Sequence, residues 1–419
     1  MNIIFHSSSR IPLTCVVAVI SGCCWWILAP RSTPAAGDDP APRQTKVDDA
    51  QALASPRRTT VYDSDPQHLW NRLHDTFRAR IGGNTGDPWE LDPFLWRSED
   101  YLADEQGRNT ALKVLDEFLA KNGHTMIKDP LKRALLQRDL WTLFDTLRPP
   151  KWDAGQKNTQ TELATRVARI IPRLSLTAEE IENLPNNYAE AVAVKEAWYL
   201  PADLWNPKGS WVLLGDNDQM PLALSHLHFF GGRSAFFVFL RLPNGREQTK
   251  KYLAELRKLA PGAEPEAFPA GTDAALVRQM QLIDDQGKPV TTKVTESVQM
   301  LEGPFELKLN RRAFLAGKPS LKAIVEDDSE RDYILFIGSN LGEGPSKVRR
   351  SCFSCHQGMK DIYSLNSYRR IRPIPLTPTV KPDLLPTTRE EEETRLREWK
   401  GNRYEWGLLQ GLMRNGARD

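Results

Sequence analysis

Near residue 198 the hydrophobic rhythm of this chain changes. Before that point apolar residues recur at helical spacing. Leu69, Trp70, Leu73 and Phe77 follow the start signal Asp65-Pro66, and Leu135, Leu136, Trp141 and Phe144 follow a second one, Asp129-Pro130. Between them Leu112, Leu115, Phe118 and Leu119 form a stripe stopped by Gly123, and Thr177 with Glu180 makes a capping box that opens a short helix. Residues 59–197 therefore read as a helical domain. Beyond it come short apolar runs bounded by Gly and Pro, at 211–214, 235–240 and 333–337, with further strand candidates at 294–301 and 305–309. The run 222–230 also reads as strand-like, and a helix is predicted over 248–259. Residues 198–340 are thus expected to form an α+β domain, and the fold class of the whole chain is α+β. A proline-rich stretch, 373–386, leads to a terminal helix capped by Thr388 and Glu391, whose buried stripe is Leu396, Trp399, Trp406, Leu409 and Met413.

The N-terminus is of another kind. No charged residue occurs from Ile11 to Ala29, Arg10 precedes this run, and Arg31 follows it. Residues 1–29 read as a targeting segment: a cleaved signal, a lipoprotein signal or an uncleaved membrane anchor. Ile20-Ser21-Gly22-Cys23 resembles a bacterial lipoprotein cleavage box with Cys23 as the lipidated residue, and Trp25 and Trp26 suit a membrane interface. Residues 30–58 lack apolar periodicity and read as a flexible linker. The expected location is extracytoplasmic, on the periplasmic side, with the N-terminus as membrane tether. With 56 Lys plus Arg against 54 Asp plus Glu, the formal charge is only +2, so no overall field directs the protein to nucleic acid.

Export changes the meaning of cysteine. Of the five cysteines, Cys15, Cys23 and Cys24 belong to the apolar N-terminal run, which leaves Cys352 and Cys355 alone in the body. They sit in Cys352-Phe353-Ser354-Cys355-His356, the spacing used for covalent haem attachment. Two thiols one helical turn apart reach the two vinyl groups of a porphyrin, and the adjacent imidazole becomes the proximal iron ligand. A redox dithiol would want a thioredoxin-like βαβ context, and a zinc site would want a second pair of ligands. Neither surrounds this motif.

At these residues the chain resembles c-type cytochromes, and more broadly large exported bacterial proteins that carry a single CxxCH. The resemblance covers only the motif and its neighbourhood, within a segment 341–419. It implies one haem c, held by Cys352 and Cys355 with His356 on the iron, and a sixth ligand, often a methionine beyond the motif. Here the chain departs from the pattern. Met359 follows His356 on the same helical face and cannot reach the far side of the ring, and Met413 falls on a core stripe. His226 and His228, alternating on the expected strand 222–230 and so sharing one face, are the candidate distal ligands, with Met220 as a weaker one. Structural histidines on an edge strand are the competing reading.

Lys347, Arg349 and Arg350 precede the motif, and Lys360, Arg369, Arg370 and Arg372 follow it. Such a cluster would pair haem propionates or face an acidic redox partner; as a solvated basic surface it would do neither. The glycines of Phe229-Phe230-Gly231-Gly232-Arg233-Ser234 are read as serving the backbone. The expected role is one-electron transfer by an extracytoplasmic monohaem protein. Two alternatives remain: a haem-dependent, peroxidase-like oxidoreductase with an open distal site, and a non-haem envelope scaffold in which the CxxC is a disulfide or metal clip.

Overall fold

A single helix, Pro130–Thr146, is buried on every side through residues 134–144 and organises the molecule. In the computed structural model the described residues are 60–77, 105–147, 154–194, 200–217, 220–260, 263, 265–300, 306–323 and 384–416. All belong to the unit Ser55–Asp419. The N-terminal segment expected as signal or anchor, the linker, the strand expected at 333–337 and the CxxCH motif lie outside the described residues. Among the described residues no helix is long and apolar enough to cross a membrane.

The central helix is α3, after α1 (Leu69–Phe77) and α2 (Glu105–Ala120). Asp129 caps it by accepting from the main-chain N–H of Leu131 at 2.8 Å and Lys132 at 3.3 Å, with Pro130 in the first turn where no N–H is needed. The helices α4 (Ala154–Ile170), α5 (Ala178–Glu182) and α6 (Asn187–Ala193) follow. Thr177 and Glu180 form the expected capping box at the start of α5.

Six strands then run as an antiparallel meander: β1 (Val212–Asp216), β2 (Ser234–Arg241), β3 (Asp273–Ile283), β4 (Pro289–Met300), β5 (Glu306–Leu309) and β6 (Leu321–Ala323). A seventh, β7 (Leu384–Pro386), joins beside β1, giving the order β6-β5-β4-β3-β2-β1-β7. The α+β class is therefore correct. Helices α7 (Leu224–Phe229), α8 (Arg246–Lys258) and α9 (Arg311–Leu315) lie in the connections. The expected terminal helix is two helices, α10 (Arg389–Gly401) and α11 (Tyr404–Gly416), parted at Asn402 and Arg403.

Two apolar clusters form the core. One joins Trp70, Leu140 and Trp141 of the first helices to Leu282, Ile283 and Val294 of β3 and β4, and takes in Trp406, Leu409 and Met413 of α11. The other packs Phe237, Phe239 and Val277 of the sheet against Leu253, Leu256, Leu396 and Trp399. The terminal stripe is thus divided, with Leu396 and Trp399 in one cluster and Trp406, Leu409 and Met413 in the other.

Sequence pattern missed β3, because Arg278, Gln279 and Gln281 interrupt its apolar run, yet all three are buried. It also gave the wrong element at 222–230. That run is the helix α7, closed by Gly231 and Gly232 at φ 57° and 67°. The Gly232 N–H donates to Leu227 O at 2.9 Å and the Gly231 N–H to His228 O at 3.1 Å. As expected, these glycines serve the backbone: a Cβ on Gly232 would stand 2.6 Å from Trp399 Cζ3.

Candidate functional site

Cys352, Cys355 and His356 lie outside the described residues, together with Met359 and the basic residues around the motif. The described sheet breaks off at Ala323 on β6 and resumes at Leu384 on β7, at the other end of the described strand order. About thirty residues lie on either side of the motif, each length able to span roughly 100 Å when extended. Chain length therefore does not restrict which face of the body the motif can reach.

The two candidate distal histidines are described. They do not share a face. Two residues along a helix turn the side chain by about 200°, and α7 sends the imidazoles to different neighbours. His226 lies against Phe236 with ring centroids 5.3 Å apart, whereas His228 meets Trp399 edge-on, also at 5.3 Å. Leu227 between them is buried in the core. The pairing inferred from strand alternation is thus corrected, and the arrangement offers a single iron one of these rings. His228 is the exposed one. Partial burial, with the Arg403 guanidinium nearby, holds its pKa below the usual histidine value, so the ring is neutral at neutral pH. Of the methionines, Met220 is 40% exposed, and Met413 is buried in the core.

Beneath α7, charged residues cross the joint between α3 and the sheet. Ser234 Oγ donates to Glu296 Oε2 at 2.5 Å, while Arg138 Nη2 stands 3.3 Å from Glu296 Oε1 and Arg278 Nε stands 3.6 Å from Oε2. Arg278 also lies over the Phe230 ring at 4.5 Å. Two turns further along α3, Arg233 pairs with Asp145 at 2.5 Å. Lys400 Nζ donates to Gly231 O at 2.5 Å and lies 4.9 Å over Trp141 and 5.7 Å over Trp406. On another side of α3, Asp139 binds Arg311 through two contacts, at 2.7 and 2.9 Å, and accepts from Tyr62 Oη at 3.3 Å. Burial pushes the Tyr62 hydroxyl well above its ordinary pKa, and the Asp139 charge adds to this. A buried charge left unpaired costs several kcal/mol. These contacts hold α3 to the sheet.

A second group of charges lies at the β1 edge. Glu392 is 1% exposed and Asp216 6%. Arg395 Nη1 donates to Glu392 Oε1 and, at 2.9 Å, to Thr387 Oγ1. Burial raises the Glu392 carboxyl to about 7 against the pull of Arg395, and Asp216 and Glu391 add to the rise. The N-terminal end of α10 favours the anion by about 0.3–1 kcal/mol, less than the several kcal/mol that burying a carboxylate costs.

Sequence reading missed these residues. The only signal was a charge placed inside an apolar run, as at Arg138, Asp139 and Arg278. Among the described residues no group of three or more His, Cys, Asp or Glu side chains could hold a metal ion.

Fold and site together define an α+β protein built on a seven-stranded antiparallel sheet, with a single CxxCH between its two edge strands. No family model matches the chain, and no curated protein or solved structure is significantly similar to it.

Proposed function

We propose that the protein is an extracytoplasmic monohaem c-type protein that transfers single electrons, tethered to the membrane through its N-terminus. The observation that carries this reading is Cys352-Phe353-Ser354-Cys355-His356, whose cysteines are the only two after residue 24. Cys352 and Cys355 would form the thioethers, and His356 would be the proximal ligand. Haem bound there supplies an Fe(III)/Fe(II) couple. His228, exposed and neutral at neutral pH, has the chemistry of a distal ligand; His226, lying against the Phe236 ring, has it less openly. The basic residues from Lys347 to Arg372 would neutralise propionates or receive an acidic redox partner.

The test is expression of the body, residues 55–419, in the periplasm beside a cytochrome c maturation system. The expected product is coloured, carries the mass of one haem and has a low-spin spectrum, and Cys352→Ala with Cys355→Ala abolishes all three. Colourless protein with the mass of bare polypeptide sinks the reading in favour of a disulfide or metal clip. His228→Ala is expected to turn the iron high-spin while His226→Ala leaves it low-spin. A high-spin native protein that turns over peroxide would instead identify the open-site oxidoreductase.

A further inference from the structure

Where β7 joins the sheet, the pair of buried Glu392 with Arg395 lies near a second buried carboxyl group, Asp216. Asp216 ends β1 and pairs across the ladder with Leu384 of β7. Glu392 lies one turn after the N-cap residue Thr388 of α10. The Arg395 to Glu392 ion pair rests on the main chain of β1. A Cβ on Gly215 would stand 2.7 Å from both Arg395 Nη1 and Glu392 Oε1. The missing side chain at Gly215 is what lets the pair settle there.

Among the described residues, the charges that act on Glu392 come from β1 and from α10 itself. Asp216 faces it from β1, and Glu391 and Arg395 from α10. Hydrogen bonds from Thr387 and Thr388 hold Glu391 below the usual carboxylate range, so it carries its charge. β7 contributes Leu384, Leu385 and Pro386, and the buried residues of α8, which contacts β7, are Thr249, Leu253 and Leu256. Burial thus favours a proton on Glu392, the most enclosed of the three carboxyl groups, and its two neighbours add to this against the pull of Arg395.

We infer that Glu392 is a proton-operated latch, which sets how tightly β7 and the first turn of α10 are held against β1. With the proton on Glu392, the corner buries one anion fewer, and the strand is closed. When the proton leaves, a second charge of the same sign as Asp216 is trapped against the sheet, and opening the corner returns it to water. The hold on β7 is short: three register pairs with β1 and the bond from Thr387 N–H to Leu213 O at 3.0 Å. The sign follows from proton binding. The closed form binds the proton more tightly than the open form, so closure is favoured at low pH and lost as pH rises through neutrality. This behaviour does not depend on haem attachment.

Amide hydrogen exchange of the whole chain at pH 6 and pH 8, corrected for intrinsic exchange rates, tests it. Protection from Leu384 through Leu396 is expected to fall by up to about tenfold between the two, at up to one decade per pH unit below the midpoint and levelling off above it. Amides of α3 should show no such local change. In Glu392→Gln the dependence should vanish. In Asp216→Asn, which leaves Glu392 in place, the midpoint should move to lower pH, because the Asp216 charge favours the proton on Glu392 and the substitution removes it. A native profile that is flat, a Glu392→Gln profile that matches the native one, or an Asp216→Asn midpoint that stays put or rises would overturn the latch.

Discussion

Asn187 does for Thr295 what a neighbouring strand would do. The Thr295 N–H donates to Asn187 Oδ1 at 2.7 Å, and Asn187 Nδ2 donates to Thr295 O at 2.8 Å. Gln137 of α3 repeats the device at Ile283, with bonds of 2.9 and 2.8 Å. Both amides are about as buried as any residue here, at 0% and 1% exposed. The register of β3 against β4 shifts on either side of Gln279, which is itself paired with Thr295. A side-chain amide supplies a donor and an acceptor in the same plane, which is what one strand residue needs from its neighbour.

Asn187→Leu should therefore leave a buried N–H and a buried C=O unpaired. Each costs roughly 1–3 kcal/mol, so a loss of about 2–4 kcal/mol is expected, read from the midpoint of urea unfolding at unchanged slope. A loss below about 0.5 kcal/mol, the usual scatter of surface substitutions, would mean that the bonds do not hold the strand.

The pair formed by Asp139 and Arg311 predicts a different pattern. Asp139 is 0% exposed. Arg311→Leu strands its carboxylate beside Tyr62 and should cost about 3–5 kcal/mol, whereas the double variant Asp139→Leu, Arg311→Leu should cost clearly less than the two single changes summed. A thermodynamic cycle from chemical unfolding gives the coupling. Strictly additive losses would show that the ion pair is incidental to the joint.

Acid should weaken the contact between α1 and α2. Hydrogen bonds from Arg72, and then from Lys121, hold the Glu117 carboxyl down at about 2. Because its folded-state pKa is depressed, its contribution is present above the ordinary carboxylate value near 4.5 and is lost as pH falls from there towards 2. Screening at this partly open site limits it to about 1 kcal/mol or less. Glu117→Gln should flatten that portion of the stability profile, and 1 M salt should shrink it in the native protein. A profile identical in both proteins would assign the acid sensitivity to other groups.

Much of the helical part was legible in sequence because its signals are local. The caps at Asp129, Thr177 and Thr388 need only a side chain and the main chain two or three residues on, so pattern and structure agree there. The run 222–230 misled for the opposite reason. Its alternation of Leu222, Leu224, His226 and His228 fits a strand, but Gly231 and Gly232 allow the positive φ angles that close a helical turn, and the residues that enter the core are Leu222, Ala223 and Leu227, which do not alternate. That choice separated the two candidate histidines.

What the sequence determined by itself was the α+β class, the helix starts and the Cys-x-x-Cys-His spacing at Cys352, Cys355 and His356, since each depends on residues within a few positions of one another. Only the tertiary structure decided that Arg278 and Glu296 are interior, that Asn187 and Gln137 complete a sheet, and that Glu392 faces Asp216. Burial and charge pairing join groups far apart along the chain, and the free energy of an ionised side chain depends on which distant neighbours replace its water.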